Sequence, residues 1–258
     1  MMRTLKLTIA YDGTNYAGWQ YQENTPTVQN TLEDAIEKIT GQKTRVLASG
    51  RTDAGVHALG QVVRLRTESA LPPEVFLRAL NAHLPHDIAV LDVAEAPADF
   101  HPIAYVVRKR YRYVIYDGPI RDVFCRQYAW HYDYGQLDAD AMRRAAAALV
   151  GTHDFSSFES SGAKRKTSVR TVFDLRVERS NGPPTEQNKS ENDDFITIEV
   201  EADGFLYNMV RAIVGTLVQV GRGKQPESWP GEVLQAKNRS AAGPTAPPQG
   251  LFLVRVEY

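Results

Sequence analysis

The stretch Ser49-Gly50-Arg51-Thr52-Asp53-Ala54-Gly55-Val56-His57 places a carboxylate, a guanidinium and an imidazole between two apolar segments. Glycine adopts backbone conformations closed to other residues and lets a ligand approach closely, so Gly50 and Gly55 predict a shaped loop that displays Asp53. If the loop is extended, the side chains of Arg51 and Asp53 leave the same face of the chain. An ordinary polar turn is the alternative, but it does not need an arginine two positions before the acid. We interpret the stretch as a functional loop.

Strand and helix patterns precede and follow this loop. Apolar and polar residues alternate as in half-buried strands at four places: residues 5–11, 45–48, 61–67 and 88–93. A helix is predicted to start after Thr25-Pro26-Thr27 and to end at Gly41, with one apolar stripe formed by Val28, Leu32, Ala35, Ile36 and Ile39. A shorter helix is predicted over residues 74–82. The first part of the chain therefore combines strands and helices around the loop.

The second part contains the same kinds of element. Strands are predicted at residues 110–116, 128–132, 171–177, 196–200 and 251–258, with Phe173 on the same face as Leu175. Asp138 is predicted to cap a helix that Gly151 ends, and a buried helix marked by Val210, Ile213, Val214, Leu217 and Val218 is predicted to close at Gly221. Residues 181–194 are polar and acidic, which predicts an exposed loop.

The order of these elements indicates an α+β fold, because strands and helices do not alternate one to one. We predict two related halves, residues 1–105 with the loop of Asp53 and residues 106–258. Their mostly antiparallel sheets are predicted to join around a central cleft, with helices on the outer faces. No clear sequence repeat supports the duplication, which is inferred from the order of the elements.

The composition is that of a globular protein, with 258 residues, 43% hydrophobic and 24% charged. A net charge of −1 conceals two basic segments. Residues 101–131 and 161–180 each hold six Lys and Arg against two acids, whereas residues 181–204 hold one lysine against seven acids. The absence of a long apolar run predicts a cytoplasmic protein without a signal peptide or membrane helix. The single cysteine, Cys125, and the scattered histidines predict no disulfide and no metal site.

The residues 50–58, Gly-Arg-Thr-Asp-Ala-Gly-Val-His-Ala, resemble the catalytic motif of the tRNA pseudouridine synthase A family. Further matches follow in the order of the family: Tyr11-Asp12-Gly13, Gly18-Trp19-Gln20, Lys109-Arg110-Tyr111-Arg112-Tyr113, Asn208-Met209-Val210-Arg211 and Gly250-Leu251-Phe252-Leu253. One departure is Phe100-His101-Pro102-Ile103, where the family usually reads Phe-His-Ala-Arg. The matches extend over nearly the whole chain.

This resemblance implies an enzyme that isomerises uridines 38, 39 and 40 of the tRNA anticodon stem-loop, works as a homodimer and binds RNA in its cleft. By resemblance Asp53 is the nucleophile, Arg211 pairs with it, and Arg51 helps to extrude the target nucleotide. Tyr111 corresponds to the tyrosine that packs on the target uracil. Leu251 and Leu253 are predicted to line the base pocket, although burial in a terminal strand explains both equally well.

The basic residues near Tyr111 predict contacts with RNA. On a strand, Lys109 and Tyr111 share one face while Arg110 and Arg112 share the other, so one face could meet a base and the other a phosphate chain. Core packing of the tyrosine is the alternative. Four further residues are predicted to contact phosphates: Lys164, Arg165, Lys166 and Arg170.

Formation of pseudouridine breaks the bond from ribose to N1 of uracil and rejoins the sugar through C5. Nothing is oxidised or added, so no cofactor is predicted. An ionised Asp53 could add to C6 of uracil, add to C1′ of ribose, or assist removal of a proton from C2′. A neighbouring cation would keep this carboxylate charged in a closed pocket. The alternatives are a non-catalytic RNA-binding module and, less favoured because no metal cluster or phosphate-binding glycine loop is found, a hydrolase with an aspartate nucleophile.

Overall fold

The computed structural model describes residues 1–160, 162, 167–182 and 193–258, and the chain divides into two compact units. Unit 1 contains Met1–Val107 and Phe252–Tyr258, and unit 2 contains Arg108–Leu251. The C-terminal strand therefore belongs to unit 1, together with the N-terminal residues. Its position at the end of the sequence does not reveal this placement. The predicted loop over residues 181–194 falls largely on residues 183–192, which lie outside the described residues.

Mostly antiparallel strands and α-helices confirm the predicted α+β class. The described strands are β1 Arg3–Tyr11, β2 Leu47–Ala48, β3 His57–Thr67, β4 Ile88–Ala96, β5 Arg108–Tyr116, β6 Trp130–His131, β7 Gly151–Asp154, β8 Val169–Ser180, β9 Phe195–Ala202 and β10 Leu251–Glu257. The described α-helices are α1 Val28–Thr40, α2 Pro73–His83, α3 Ala139–Ala146, α4 Met209–Gly221 and α5 Trp229–Ala236.

In unit 1 the strands lie in the order β4-β1-β3-β10, and β2 also pairs with β3. Leu5 and Leu7 of β1 lie opposite Leu65 and Val63 of β3, and all four side chains are fully buried. Helix α1 buries its predicted stripe, although Ile39 is only half-buried. Its ends confirm the prediction, because the Thr27 side chain accepts a hydrogen bond from the backbone N–H of Asn30 and Gly41 adopts a φ of 70°.

Strand β3 begins at His57, four residues before the predicted start, and β2 is shorter than predicted. The early start has a long-range cause, since His57 and Ala58 pair in parallel with Phe252 and Leu253 of β10. This pairing satisfies backbone groups that local sequence patterns cannot assign to a partner. Strand β3 therefore begins at His57, directly after Val56, the last residue of the loop that carries Asp53.

In unit 2 the strands lie in the order β5-β9-β8-β7, with β6 paired to β5. Helix α3 is capped as predicted, because the Asp138 carboxylate accepts a hydrogen bond from the backbone N–H of Ala141. It ends at Ala146 and continues as a 3₁₀ turn, so Gly151 starts β7 instead of ending the helix. Helix α4 is buried almost all around and ends at Gly221, as predicted. Helix α5 and strand β7 were not predicted.

The prediction that Phe173 lies on the same face of its strand as Leu175 is wrong. Val172 pairs with Ala202 and Asp174 pairs with Glu201, so the register shifts between them and Phe173 is the extra residue of a bulge. Its side chain is 39% exposed, whereas Val172 and Val177 are buried. The Arg108 guanidinium lies 4.6 Å from the centroid of the Phe173 ring. The bulge moves an aromatic ring that looks like a core residue to the surface.

Helix α4 lies against the backbone of the segment Gly243–Ala246. The backbone N–H of Gly243 donates to the Thr216 hydroxyl at 3.0 Å, and that of Ala246 donates to the Arg211 carbonyl at 3.1 Å. A Cβ added at Gly215 would overlap the carbonyl oxygen of Pro244. The contact therefore requires a residue without a side chain at this position.

We expect Gly215→Ala to lower the free energy of unfolding by about 1–3 kcal/mol, because the added methyl group has to displace backbone. Urea denaturation measures the change. Gly231→Ala is the matched control, since a Cβ at this other helical glycine would meet only the Ala148 Cβ at 3.7 Å. We expect this control to unfold at the same urea concentration as the unsubstituted protein or higher. Equal urea midpoints of unfolding for the two variants would show that the close contact between Gly215 and Pro244 does not contribute to stability.

Candidate active site

The loop between β2 and β3 has a tightly defined backbone. The carbonyl of Asp53 accepts a hydrogen bond from the N–H of Val56 at 3.1 Å, and Gly55 has a φ of 76°, in the region that favours glycine. The N–H of Trp19 donates to the carbonyl of Thr52 at 3.0 Å. A Cβ at Gly18 would lie 2.6 Å from that same carbonyl oxygen. The Gly18-Trp19 motif therefore supports the backbone on which Asp53 is carried.

Buried side chains hold both sides of the loop. The Thr52 hydroxyl is 2.8 Å from the Tyr11 hydroxyl, and burial raises the pKa of Tyr11 to about 12, so this phenol stays neutral. Gln61 donates to the carbonyl of Gly50 at 2.8 Å and accepts from the Ser49 hydroxyl at 2.6 Å. The loop is thus fixed by contacts within unit 1.

The side chains of the loop alternate in exposure, as an extended conformation predicts. Thr52 is buried, Arg51 is exposed and Asp53 is half-buried. His57 does not join them, because its ring is buried and stacks on Phe252 with 4.7 Å between the ring centroids. Among the described residues, no group of three or more His, Cys, Asp or Glu side chains is arranged to hold a metal ion.

Arg211 lies in the first turn of α4 in unit 2, and two acceptors orient its guanidinium group. Its Nε donates to the carbonyl of Ala246 at 2.6 Å, and its Nη1 donates to Oδ1 of Asn208 at 2.9 Å. Asn208 precedes the helix with a φ of 60°, and its Nδ2 donates to the Ser160 hydroxyl at 3.1 Å. This role of Asn208 was not assigned from the sequence, and its position directly before the helix is the signal that could have identified it.

The two tyrosines of β5 that share a face have different surroundings. Tyr111 is 8% exposed and meets Phe205 edge-on, with 4.9 Å between the ring centroids. Tyr113 is fully buried and donates to the carbonyl of Pro247 at 2.7 Å. Burial raises the pKa of Tyr113 well above its usual value, and the charge of Arg211 opposes this shift only in part. Tyr113 therefore anchors the segment that precedes Leu251.

That segment also explains the glycine before Leu251. A Cβ at Gly250 would lie 2.6 Å from the carbonyl oxygen of Val114 and 2.8 Å from the Tyr113 ring. Leu251 itself is 6% exposed. The backbone can pass this close to β5 only without a side chain at residue 250, and this passage places Leu251 at the start of β10.

The opposite face of β5 carries a network of ion pairs. Arg110 contacts carboxylates of Glu199, Glu201 and Asp174 at 2.9–3.2 Å, and Arg112 contacts Glu199 at 2.7 Å. Burial alone would raise the pKa of Glu199, but hydrogen bonds from the two arginines outweigh it and lower that pKa. The guanidinium groups are therefore engaged within unit 2. This arrangement favours a structural role over the predicted phosphate contacts.

The remaining residues predicted to contact RNA give less information. Lys109 is half-buried on β5. Arg170 is half-buried, and its Nη1 donates to the carbonyl of Val169 at 2.6 Å. Lys164, Arg165 and Lys166 lie outside the described residues.

The sequence matches the family model described as tRNA pseudouridine synthase over residues 7–103 and 145–258, which include Asp53 and Arg211. The chain belongs to this family. The tRNA pseudouridine synthase A of Thermoanaerobacter sp. strain X514 is 46% identical over 257 residues, covering 100% of both chains. Those of Moorella thermoacetica and Geotalea uraniireducens are 48% and 45% identical, again over 100% of both chains. The resemblance to this family is thereby confirmed.

Among solved structures, an H/ACA RNP bound to a substrate RNA containing 2′-deoxyuridine matches with a TM-score of 0.36 and 12% identity. The match covers 83% of this chain and 44% of that chain. Membership of the tRNA pseudouridine synthase family therefore rests on sequence similarity. In the part of the chain that the structure describes, no helix combines the length and the apolar character that a membrane span requires.

Proposed function

We propose that this protein isomerises uridine to pseudouridine at positions 38, 39 and 40 of the tRNA anticodon stem-loop. The observation that carries the proposal is the loop that displays Asp53, which is held by Tyr11, Gln61 and the Gly18-Trp19 backbone. Relatives named tRNA pseudouridine synthase A match along the full chain, which supports tRNA as the substrate.

The reaction is an isomerisation whose atoms balance without a second substrate. The bond between C1′ and N1 breaks, the uracil turns, C1′ bonds to C5, and the proton of C5 is lost to solvent while N1 gains one. Asp53 acts as the nucleophile or assists the loss of a proton from C2′. The target base leaves its stack first, at a cost of a few kcal/mol that contacts with the RNA backbone offset.

The other residues position the base and the charge. Arg211 stabilises the ionised carboxylate of Asp53, Arg51 fills the space that the extruded nucleotide leaves, and Tyr111 packs on the uracil. Leu251 contributes to the base pocket, and Lys109 binds the substrate beside Tyr111. We further propose that the protein works in the cytoplasm as a homodimer.

The loss of the C5 proton gives a direct test of this function. Unmodified tRNA transcribed with [5-³H]uridine is incubated with the purified protein alone, without added nucleotide or metal. We expect one tritium to be released to water for each pseudouridine formed. Binding of the tRNA without any release of tritium would overturn the proposal and favour a non-catalytic RNA-binding module.

Asn208 should be required to orient Arg211 rather than only to shape the backbone. We expect Asn208→Gly and Asn208→Ala to lower kcat about tenfold or more with little change in KM, because a hydrogen bond to a charged group contributes about 1.5–3 kcal/mol. Glycine tolerates the φ of 60° at this position, whereas alanine adds strain. Both variants lose the hydrogen bonds of the Asn208 side chain, so the alanine variant should lose more stability in urea than the glycine variant. A glycine variant with the kcat of the unsubstituted enzyme would contradict the orienting role.

A further inference from the structure

Three basic side chains share one face of the sheet in unit 1. Lys6 of β1 lies directly opposite Arg64 of β3, and Arg66 follows two residues later opposite Thr4. Because side chains alternate along a strand, this is the face opposite to the buried Leu5 and its neighbours. Lys6 and Arg64 are half-buried and Arg66 is exposed. We refer to Lys6, Arg64 and Arg66 as the basic strand face.

The two arginines donate hydrogen bonds to neutral groups. Arg64 donates to the carbonyl of Phe100 at 3.2 Å, and Arg66 donates to the carbonyl of Ala98 at 3.4 Å. Three ion pairs in the described part of unit 1 engage other cations, namely Arg3 with Glu95, Arg45 with Glu33 and Arg255 with Glu257. One acid, Asp92, lies on this same face opposite Thr8. The face thus combines three cations with one carboxylate.

Like charges at this spacing cost stability. Directly opposed cations on neighbouring strands destabilise a sheet by roughly 0.2–1 kcal/mol. Partial burial lowers the pKa of Arg64, and the like charge of Arg66 lowers this pKa further. A bound anion would offset both the repulsion and the partial burial.

We propose that the basic strand face binds phosphates of the tRNA backbone at a distance from the target uridine. This inference rests on the proposed function, which supplies a polyanion as substrate. The guanidinium group of an arginine can donate two parallel hydrogen bonds to the oxygens of one phosphate, and a lysine beside the two arginines adds a third positive charge. Arg64 lies seven positions after His57 along β3, which corresponds to about 23 Å from the end of the Asp53 loop. At that distance the face contacts backbone several nucleotides away from the flipped base.

A pair of triple variants tests the proposal. The first changes Lys6, Arg64 and Arg66 to glutamine. The control changes Lys38, Lys43 and Arg78 to glutamine, which are exposed residues on or beside α1 and α2 and give the same change in net charge. Single-turnover rates on unmodified tRNA are measured at increasing enzyme concentration. They give the enzyme concentration at half-saturation and the maximal rate of each variant. The single variant Arg66→Gln is measured as well, because this side chain is exposed and its loss should not impair folding.

We expect the first triple variant to raise the half-saturating concentration at least tenfold while the maximal rate stays within twofold. The plot of log affinity against log salt concentration should become less steep by about two to three, because each lost phosphate contact removes about 0.7–0.9 from the magnitude of its slope. Arg66→Gln should lower the slope by about one. The control should change the half-saturating concentration by less than twofold.

Equal half-saturating concentrations and salt slopes for the two triple variants would overturn the proposal, even if both variants are active. That result would leave an acidic protein segment as the alternative partner of this face. Failure of the proposed function would look different, since the unsubstituted protein would then form no pseudouridine. In that case filter binding of tRNA by the same variants still decides whether the face binds RNA.

Discussion

Asp53→Asn is expected to abolish pseudouridine formation, with a loss of at least about 10⁴-fold in the single-turnover rate. Asparagine has almost the shape of aspartate, so the loop held by Tyr11 and Gln61 should keep its conformation. It carries no negative charge and can neither attack carbon nor take a proton from C2′. Binding of tRNA should stay within about twofold, because phosphate contacts supply most of the affinity.

The measurement combines release of tritium from [5-³H]uridine in tRNA with filter binding. Asp34→Asn, at an exposed position of α1, is the matched control and should behave like the unsubstituted protein in both assays. A rate for Asp53→Asn within tenfold of the unsubstituted protein would show that another group performs the chemistry. Loss of binding together with loss of activity would instead indicate that the loop itself had changed.

Arg211→Gln is expected to lower the maximal rate by about 10²–10³-fold, which is the loss typical of removing one preorganised group that stabilises charge in a transition state. Arg211→Lys should recover part of this loss, because it keeps the charge but lacks the fork that donates to both Ala246 and Asn208. Affinity for tRNA should change much less than the rate. The substitution therefore separates a catalytic role from general attraction of RNA.

Arg222→Gln serves as the control for Arg211, because Arg222 follows the other end of α4 and lies beside the ring of Tyr134 instead. We expect this variant to keep the rate of the unsubstituted protein within about twofold. Equal losses for Arg211→Gln and Arg222→Gln would mean that α4 contributes only net charge. A normal rate for Arg211→Gln would remove this arginine from the mechanism.

Local signals in the sequence were sufficient for elements whose ends are determined by neighbouring residues. Helix α1 follows from Thr27 and Gly41, and the start of α3 follows from Asp138, because each cap is a contact within a few residues. The start of β3 and the bulge at Phe173 depend on partner strands far away in the chain. Alternation gives a period but does not identify the partner strand, so these features could not be predicted.

The same distinction applies to the site. The composition around Asp53 indicated a functional loop without knowledge of the fold, because an ordinary turn does not need an arginine two positions before the acid. The acceptors of Arg211 include a backbone carbonyl, which carries no signal in the residue type. The phosphate contacts of the β5 arginines stay a prediction, and the ion pairs of these arginines could not be predicted because the sequence does not show that Glu199 and Glu201 face them across the sheet.

Mapping of pseudouridine at nucleotide resolution tests the central claim most directly. Unmodified tRNA that carries uridine at positions 38, 39 and 40 is incubated with the purified protein alone and then treated with a carbodiimide that, after mild alkali, stays only on pseudouridine. Mass spectrometry of the fragments then locates the added mass, because pseudouridine and uridine themselves have the same mass. We predict pseudouridine at these positions and at no others. Pseudouridine confined to another arm of the tRNA, or a transcript that remains unmodified although it is bound, would contradict the account.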